Sequence, residues 1–110
     1  MAIIHHNIWD WGTQDIIILG GGLAFCMVSI EDDANSIAWI GTISVHESAR
    51  HFGWGNDLLM CAEMNAVERG AKFLYLRAYK NDWPIEWYKR HGFMYSCDSE
   101  DGMAVLMKKL

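Results

Sequence analysis

The chain has 110 residues, 52% of them hydrophobic, with six Trp and a single Pro, which excludes disorder and allows one domain, 1–110, with a single core. A formal net charge of -5 leaves no basic stripe to displace counterions from a phosphate backbone, so nucleic acid is excluded as a partner and an amine or basic partner is favoured. Cys26, Cys61 and Cys97 are odd in number and widely spaced, which excludes a disulfide framework or a paired-cysteine metal site and implies a reducing cytoplasm.

Residues 1–12 follow neither the helical nor the strand period, with Ile3, Ile4, Ile8, Trp9 and Trp11 compatible with a short helix or a strand. His5 and His6 have no ligand cluster around them, so no metal is assigned. Asp15–Leu19 and Leu23–Ile30 read as strands joined by Gly20-Gly21-Gly22. The apolar run 16–28 is too short to span a bilayer, and the N-terminus lacks signal-peptide features, so a soluble, unprocessed protein without a membrane partner is expected. The acidic stretch 31–36 reads as a solvated turn.

Ile37–Val45 is strand-like, with Gly41 marking a bulge or a close approach. It leads into Arg50-His51-Phe52-Gly53-Trp54-Gly55, an R-x-x-G-x-G pattern, and then into an amphipathic helix over 56–69 that presents Leu58, Leu59, Ala62 and Ala66 on one face. A loop entering a helix aims unpaired backbone N–H groups outward at the positive end of the helix dipole, which suits phosphate. Glycines let a diphosphate approach, and Arg50 can add a charge-assisted bond; plain packing explains such a turn as well.

Phe73–Tyr79 is a strand by composition, and the strand-helix-strand unit predicts a right-handed parallel crossover. Residues 81–84 open a second helix, capped by Asp82 and ended by Gly92. Phe93–Cys97 and Met103–Met107 close the chain as a hairpin around the acidic turn 98–102.

Four features together resemble the Gcn5-related N-acetyltransferases: the strand ending Ile43-Ser44-Val45, the loop Arg50-x-x-Gly53-x-Gly55 followed by Leu58-Leu59, the helix end Glu68-Arg69-Gly70-Ala71, and Asn81 followed by Trp87-Tyr88-Lys89-Arg90-His91-Gly92-Phe93. The resemblance implies an α/β (α+β) fold with a mixed, mostly antiparallel twisted sheet of about six strands, a central parallel pair splayed around the cofactor, and two main helices. It implies acetyl-CoA as cofactor: Ile43, Ser44 and Val45 would pair with the pantetheine arm. The loop amides of Arg50, His51, Phe52, Gly53, Trp54, Gly55 and Asn56 would bind the diphosphate, Asn81 would support the pantetheine side, and Tyr88 would aim its phenol at the thioester sulfur.

The implied reaction is acetyl transfer to a primary amine, on a small molecule or on a protein lysine or N-terminus. A phenol of pKa about 10 is protonated at neutral pH and can give its proton to a departing thiolate whose conjugate acid lies near 8.5. The family commonly carries a Glu or His on the strand before the loop as general base; Ile37–Val45 has neither, leaving Glu47, Glu31 or a water chain. Only Gly20–Gly22 joins the first two expected strands, where the family has two helices that wall the acceptor, so a homodimer or a large acceptor is expected to complete the site. The alternatives are a catalytically degenerate module that binds CoA and a protein-interaction module that uses the fold alone.

Overall fold

The computed structural model describes residues 2–80 and 84–110. It contains strands β1 (Ile3–Trp9), β2 (Gly12–Leu19), β3 (Ala24–Glu31), β4 (Ile37–Val45), β5 (Phe73–Ala78), β6 (Met94–Asp98) and β7 (Ala104–Lys109), with helices α1 (Trp54–Glu68) and α2 (Pro84–Arg90). They form one seven-stranded sheet in the order β1-β2-β3-β4-β5-β7-β6. Only β4 and β5 are parallel; all other neighbours are antiparallel.

The ambiguous N-terminal stretch is a strand, in unbroken register from Ile3 opposite Ile18 to Trp9 opposite Gly12. It adds a seventh strand to the six legible in the sequence. As an edge strand it is largely exposed on both faces, so burial does not impose a two-residue alternation on its sequence.

The two helices share one face of the sheet. Lys108 on β7 reaches both, pairing with Glu63 of α1 at 2.5 Å and donating to the carbonyl of His91, just beyond α2, at 2.8 Å. Between helices and sheet lies the core: Ile17, Cys26, Val28, Leu58, Leu74 and Leu106 are fully buried. Ala62 and Ala66 of α1 are also fully buried, and their small side chains let the helix lie close to the strands. On the opposite face Ile16, Ile18, Phe25, Met27, Trp39 and Tyr75 are half-buried, and no helix among the described residues covers them.

A polar network is sealed beneath α1. Asp15, only 4% exposed, accepts from Asn65 Nδ2 at 2.7 Å and meets His6 Nδ1. Arg69 lies 3.7 Å from the same carboxylate and donates to Asn65 Oδ1 at 2.7 Å, to the Val28 carbonyl at 3.0 Å and to Thr13 Oγ1 at 2.5 Å. These bonds satisfy the two buried polar side chains, Asp15 and Asn65, that would otherwise lose their hydration uncompensated. The Arg69 guanidinium has its pKa lowered by burial, an effect the Asp15 charge opposes.

Two strand details position the site. In the β3–β4 ladder Met27 faces Thr42 while Val28 faces Ile40, so Gly41 is the extra residue of a bulge. The parallel β4–β5 pairing runs only from Ile37 opposite Phe73 to Ile40 opposite Leu76. Past Gly41 the strands part, with β4 still held by β3 and β5 still held by β7.

Candidate active site

The parting of β4 and β5 opens a cleft of about 490 Å³ whose walls come from three elements. Ile43, Ser44 and Val45 line it from β4; Arg50, Gly53, Gly55 and Asn56 from the loop and first turn of α1; Pro84, Trp87 and Tyr88 from α2. Because β4 has no strand partner on this side beyond Ile40, the edge of residues 41–45 faces the cleft as an unpaired ladder inside the sheet.

The loop is organised by its backbone. His46 caps the turn 47–49 through Nδ1, which accepts from Ser48 N at 3.2 Å, and Arg50 Nε donates to the Val45 carbonyl at 3.2 Å, tying the loop to the end of β4. Gly53 takes a left-handed φ of 71° and acts as the cap of α1, so the helix begins at Trp54 rather than at 56 as the sequence suggests. The first helical bond runs from Asp57 N to the Gly53 carbonyl at 3.2 Å. The N–H groups of residues 53–56 have no protein partner among the described residues, and they stand at the positive end of a 15-residue helix.

Three loop side chains stand away from the cleft walls. His51 and Phe52 are exposed, and the Phe52 ring lies 5.7 Å from that of Trp54. Trp54 packs against Gly20, where an added Cβ would meet its ring at 2.3 Å; only glycine fits there. Two of the expected loop amides are already engaged, Arg50 N with the Glu47 carbonyl at 3.4 Å and Phe52 N with the Ala49 carbonyl at 3.3 Å, because the turn 47–49 continues into the loop. Asn81 lies outside the described residues, as do Asp82 and Trp83.

Tyr88 is 7% exposed, its ring edge-on to Trp87 at 5.0 Å and to Phe93 at 5.6 Å. Burial, with a smaller contribution from nearby Cys26, pushes its phenol up to about 12, so the proton stays on the oxygen at neutral pH. The hydroxyl has no hydrogen-bond partner among the described residues and Tyr88 borders the cleft. Pro84 and Trp87 were not among the sequence candidates; the adjacency of Trp87 to Tyr88 on a short helix was the available signal. His91 was also missed: Nδ1 lies 2.7 Å from the Trp87 carbonyl and Nε2 2.7 Å from Asn56 Oδ1, joining α2 to the first turn of α1.

A second cavity, of about 680 Å³, opens on the helix-free face beside Gly41, with Trp11, Glu31, Trp39, Arg77 and Asp101 around it. Arg77 stacks over Trp39, 6.0 Å from the ring centroid. Glu31 lines the same cavity as Gly41 but stands level with Ile37, at the start of the β4–β5 pairing, and Glu47 is exposed in the turn 47–49. Among the described residues no three His, Cys, Asp or Glu side chains gather to hold a metal ion, and no helix is long and apolar enough to cross a membrane.

Residues 8–95 match the family model for the acetyltransferase (GNAT) domain. No curated protein matches the sequence. Among solved structures, a GNAT family acetyltransferase from Elizabethkingia anophelis with acetyl-CoA bound superposes with a TM-score of 0.76 at 15% identity, covering 99% of this chain and 98% of that one. An acetyltransferase from Bacillus cereus gives 0.70 at 23% identity, covering 97% and 74%. The PaiA N-acetyltransferase from Thermoplasma acidophilum, in complex with coenzyme A, gives 0.73 at 19% identity, covering 88% of this chain and 60% of that one.

Proposed function

Because the chain belongs to the acetyltransferase (GNAT) domain family, we propose that it transfers an acetyl group from acetyl-CoA to a primary amine. The observation that carries this reading is the cleft itself: unpaired amides at the start of α1 stand at one end and a protonated, buried phenol borders it from α2. Such a cleft fits a molecule with a diphosphate and an amide-bearing arm. Gly53 supports the fit, since a Cβ built on it meets no protein atom within 4 Å, leaving room against the backbone for a phosphate.

In this reading the amides of residues 53–56 and the guanidinium of Arg50 hold the diphosphate, and the open edge of Ile43, Ser44 and Val45 pairs with the pantetheine amides. Acetyl-CoA, when bound, supplies the activated acyl group as a thioester. Tyr88, protonated at neutral pH, would hydrogen-bond the leaving sulfur and give it the proton as the C–S bond breaks, while the proton lost by the amine would pass to Glu31 or to water. The amine reaches the parting of the strands from the helix-free face, where Glu31 and the cavity beside Gly41 lie. The protein is read as a cytoplasmic homodimer, supported by its free cysteines and by the exposure of Ile3, Ile4, Ile8, Trp9 and Trp11.

Thiol release from acetyl-CoA, followed with a panel of primary amines that includes lysine peptides, tests the reading. Amine-dependent release supports it. Binding of acetyl-CoA without release by any amine favours a second reading, a catalytically degenerate CoA-binding module, which the absence of Glu and His from β4 recommends.

A further inference from the structure

The sheet has two edges, and only one is blunted. At β6 the strand is five residues long, its pairing with β7 shifts between Tyr95 and Cys97, and Asp98 is paired with Lys80. These features discourage another strand from adding there. At β1 none of them is present. Seven residues, Ile-Ile-His-His-Asn-Ile-Trp, run in unbroken register on β2 with no Pro, Lys, Arg, Asp or Glu among them. Their outer edge leaves backbone donors and acceptors without a strand partner among the described residues, while Ile3 is 55% exposed, Ile4 50%, Ile8 79% and Trp9 50%.

This edge is complementary to itself. His6 contacts Asp15, which faces α1, so Ile4, His6 and Ile8 lie on the helix-bearing side and Ile3, His5, Asn7 and Trp9 on the other. In an antiparallel pair, directly opposite residues share a face, so a two-fold axis normal to the sheet permits only registers that differ by steps of two. Centred on His6, the strand sets Ile4 against Ile8, Ile3 against Trp9 and His5 against Asn7 of the second copy: apolar meets apolar and polar meets polar along all seven residues. Centred on His5, Ile3 would face Asn7 and Ile4 would face His6. Centred on Asn7, His6 would face Ile8 and His5 would face Trp9.

We propose that β1 is the dimer interface, pairing antiparallel with β1 of a second copy about a two-fold axis at His6, so that the two sheets become one. The inference specifies the surface of the homodimer read above and is independent of the acetyl-transfer chemistry. Both cofactor clefts lie at β4–β5, away from this edge, and stay open.

Light scattering on the full chain should give twice the single-chain mass of 12.6 kDa at micromolar concentration. The Ile4→Lys, Ile8→Lys double variant should give the single-chain mass with a retained cooperative melting transition, at a temperature lowered by the loss of the partner and no longer dependent on protein concentration. The register is read by cysteine pairing in a Cys97→Ser background, since Cys97 is the exposed native thiol. Positions 4 and 8 of opposite copies would be within the roughly 4.4–6.8 Å Cα range that a disulfide accepts. Ile4→Cys chains mixed with Ile8→Cys chains should therefore cross-link under oxidation while neither does so alone; four residues apart along one strand, the two positions cannot meet within a chain. A single-chain mass for the unmodified protein would overturn both the homodimer and this surface. A dimer that survives the lysine variant, or that cross-links in another pattern, would overturn this surface alone.

Discussion

Ile40 opposite Leu76 is the last pair of the parallel ladder, and the bulge residue Gly41 follows at once. The extra residue re-aims β4 while β3 continues to hold it, so the strands separate without either losing its other neighbour. Backbone groups that a regular sheet would pair are thereby presented to a ligand. Helix α1 starts at the end of the cleft that the loop after β4 reaches, and α2 closes its side.

Replacing Tyr88 with Phe removes only the hydroxyl, whose oxygen has no protein partner among the described residues. Acetyl-CoA affinity should hold and turnover should fall about tenfold to a thousandfold, the scale of a lost general acid. Normal turnover in the variant would leave Tyr88 with its packing on Trp87 and Phe93 alone.

Gly53→Asn tests the loop without breaking it, because asparagine tolerates the left-handed φ of 71° better than other side chains. Its side chain would occupy the space beside the unpaired amides. Calorimetry should show weakened acetyl-CoA binding at a nearly unchanged melting temperature; unchanged affinity would remove the diphosphate from this loop.

The strand-loop-helix-strand unit from Ile37 to Ala78 was legible because its signals are local: β-branched residues, then glycines, then small and apolar residues at helical spacing, then Gly70. Strand β1 was not, because an edge exposed on both faces carries no alternation. The start of α1 was misplaced by two residues because Gly53 caps the helix through its conformation, with no capping side chain to announce it. The network of Asp15, Asn65 and Arg69 was invisible for another reason: Asp15 and Asn65 are fifty positions apart, and neither is informative without the other. In the site, a motif could point to Tyr88 but not to Pro84, Trp87 or His91, whose roles depend on how α2 docks against α1.

That network sets a stability prediction. Arg69→Ala leaves Asp15 buried with one fewer cation and strips Asn65 Oδ1 of its donor. Loss of one member of a buried charged network typically costs about 3–5 kcal/mol, and urea unfolding should show a loss of that order. A change as small as that of an exposed surface pair, up to about 1 kcal/mol, would mean that the network is solvated.

Alkaline pH should unfold the protein through two buried acids. Burial raises Tyr88 from 10.0 to about 12 and Cys26 from 9.0 to about 12, with smaller contributions from Cys26 and Cys61 respectively. Both pKa values are higher folded than unfolded, so the folded state retains protons that the unfolded chain releases. Their contribution is fully present below about pH 9 and is lost as pH rises toward 12, at roughly 3 to 4 kcal/mol per group. Urea midpoints should fall over that window, and fall less in a Tyr88→Phe, Cys26→Ala double variant; equal slopes would place the cause elsewhere.

Titrating the isotope-labelled protein with acetyl-CoA while following its backbone amide resonances shows whether the cleft between β4 and β5 holds the cofactor. Saturable shifts should be largest at Gly53, Trp54, Gly55 and Asn56 and along residues 41–45, with little change on β1 or β6. No saturable shift, or shifts centred on the helix-free face around Trp39 and Arg77, would contradict that placement of the cofactor.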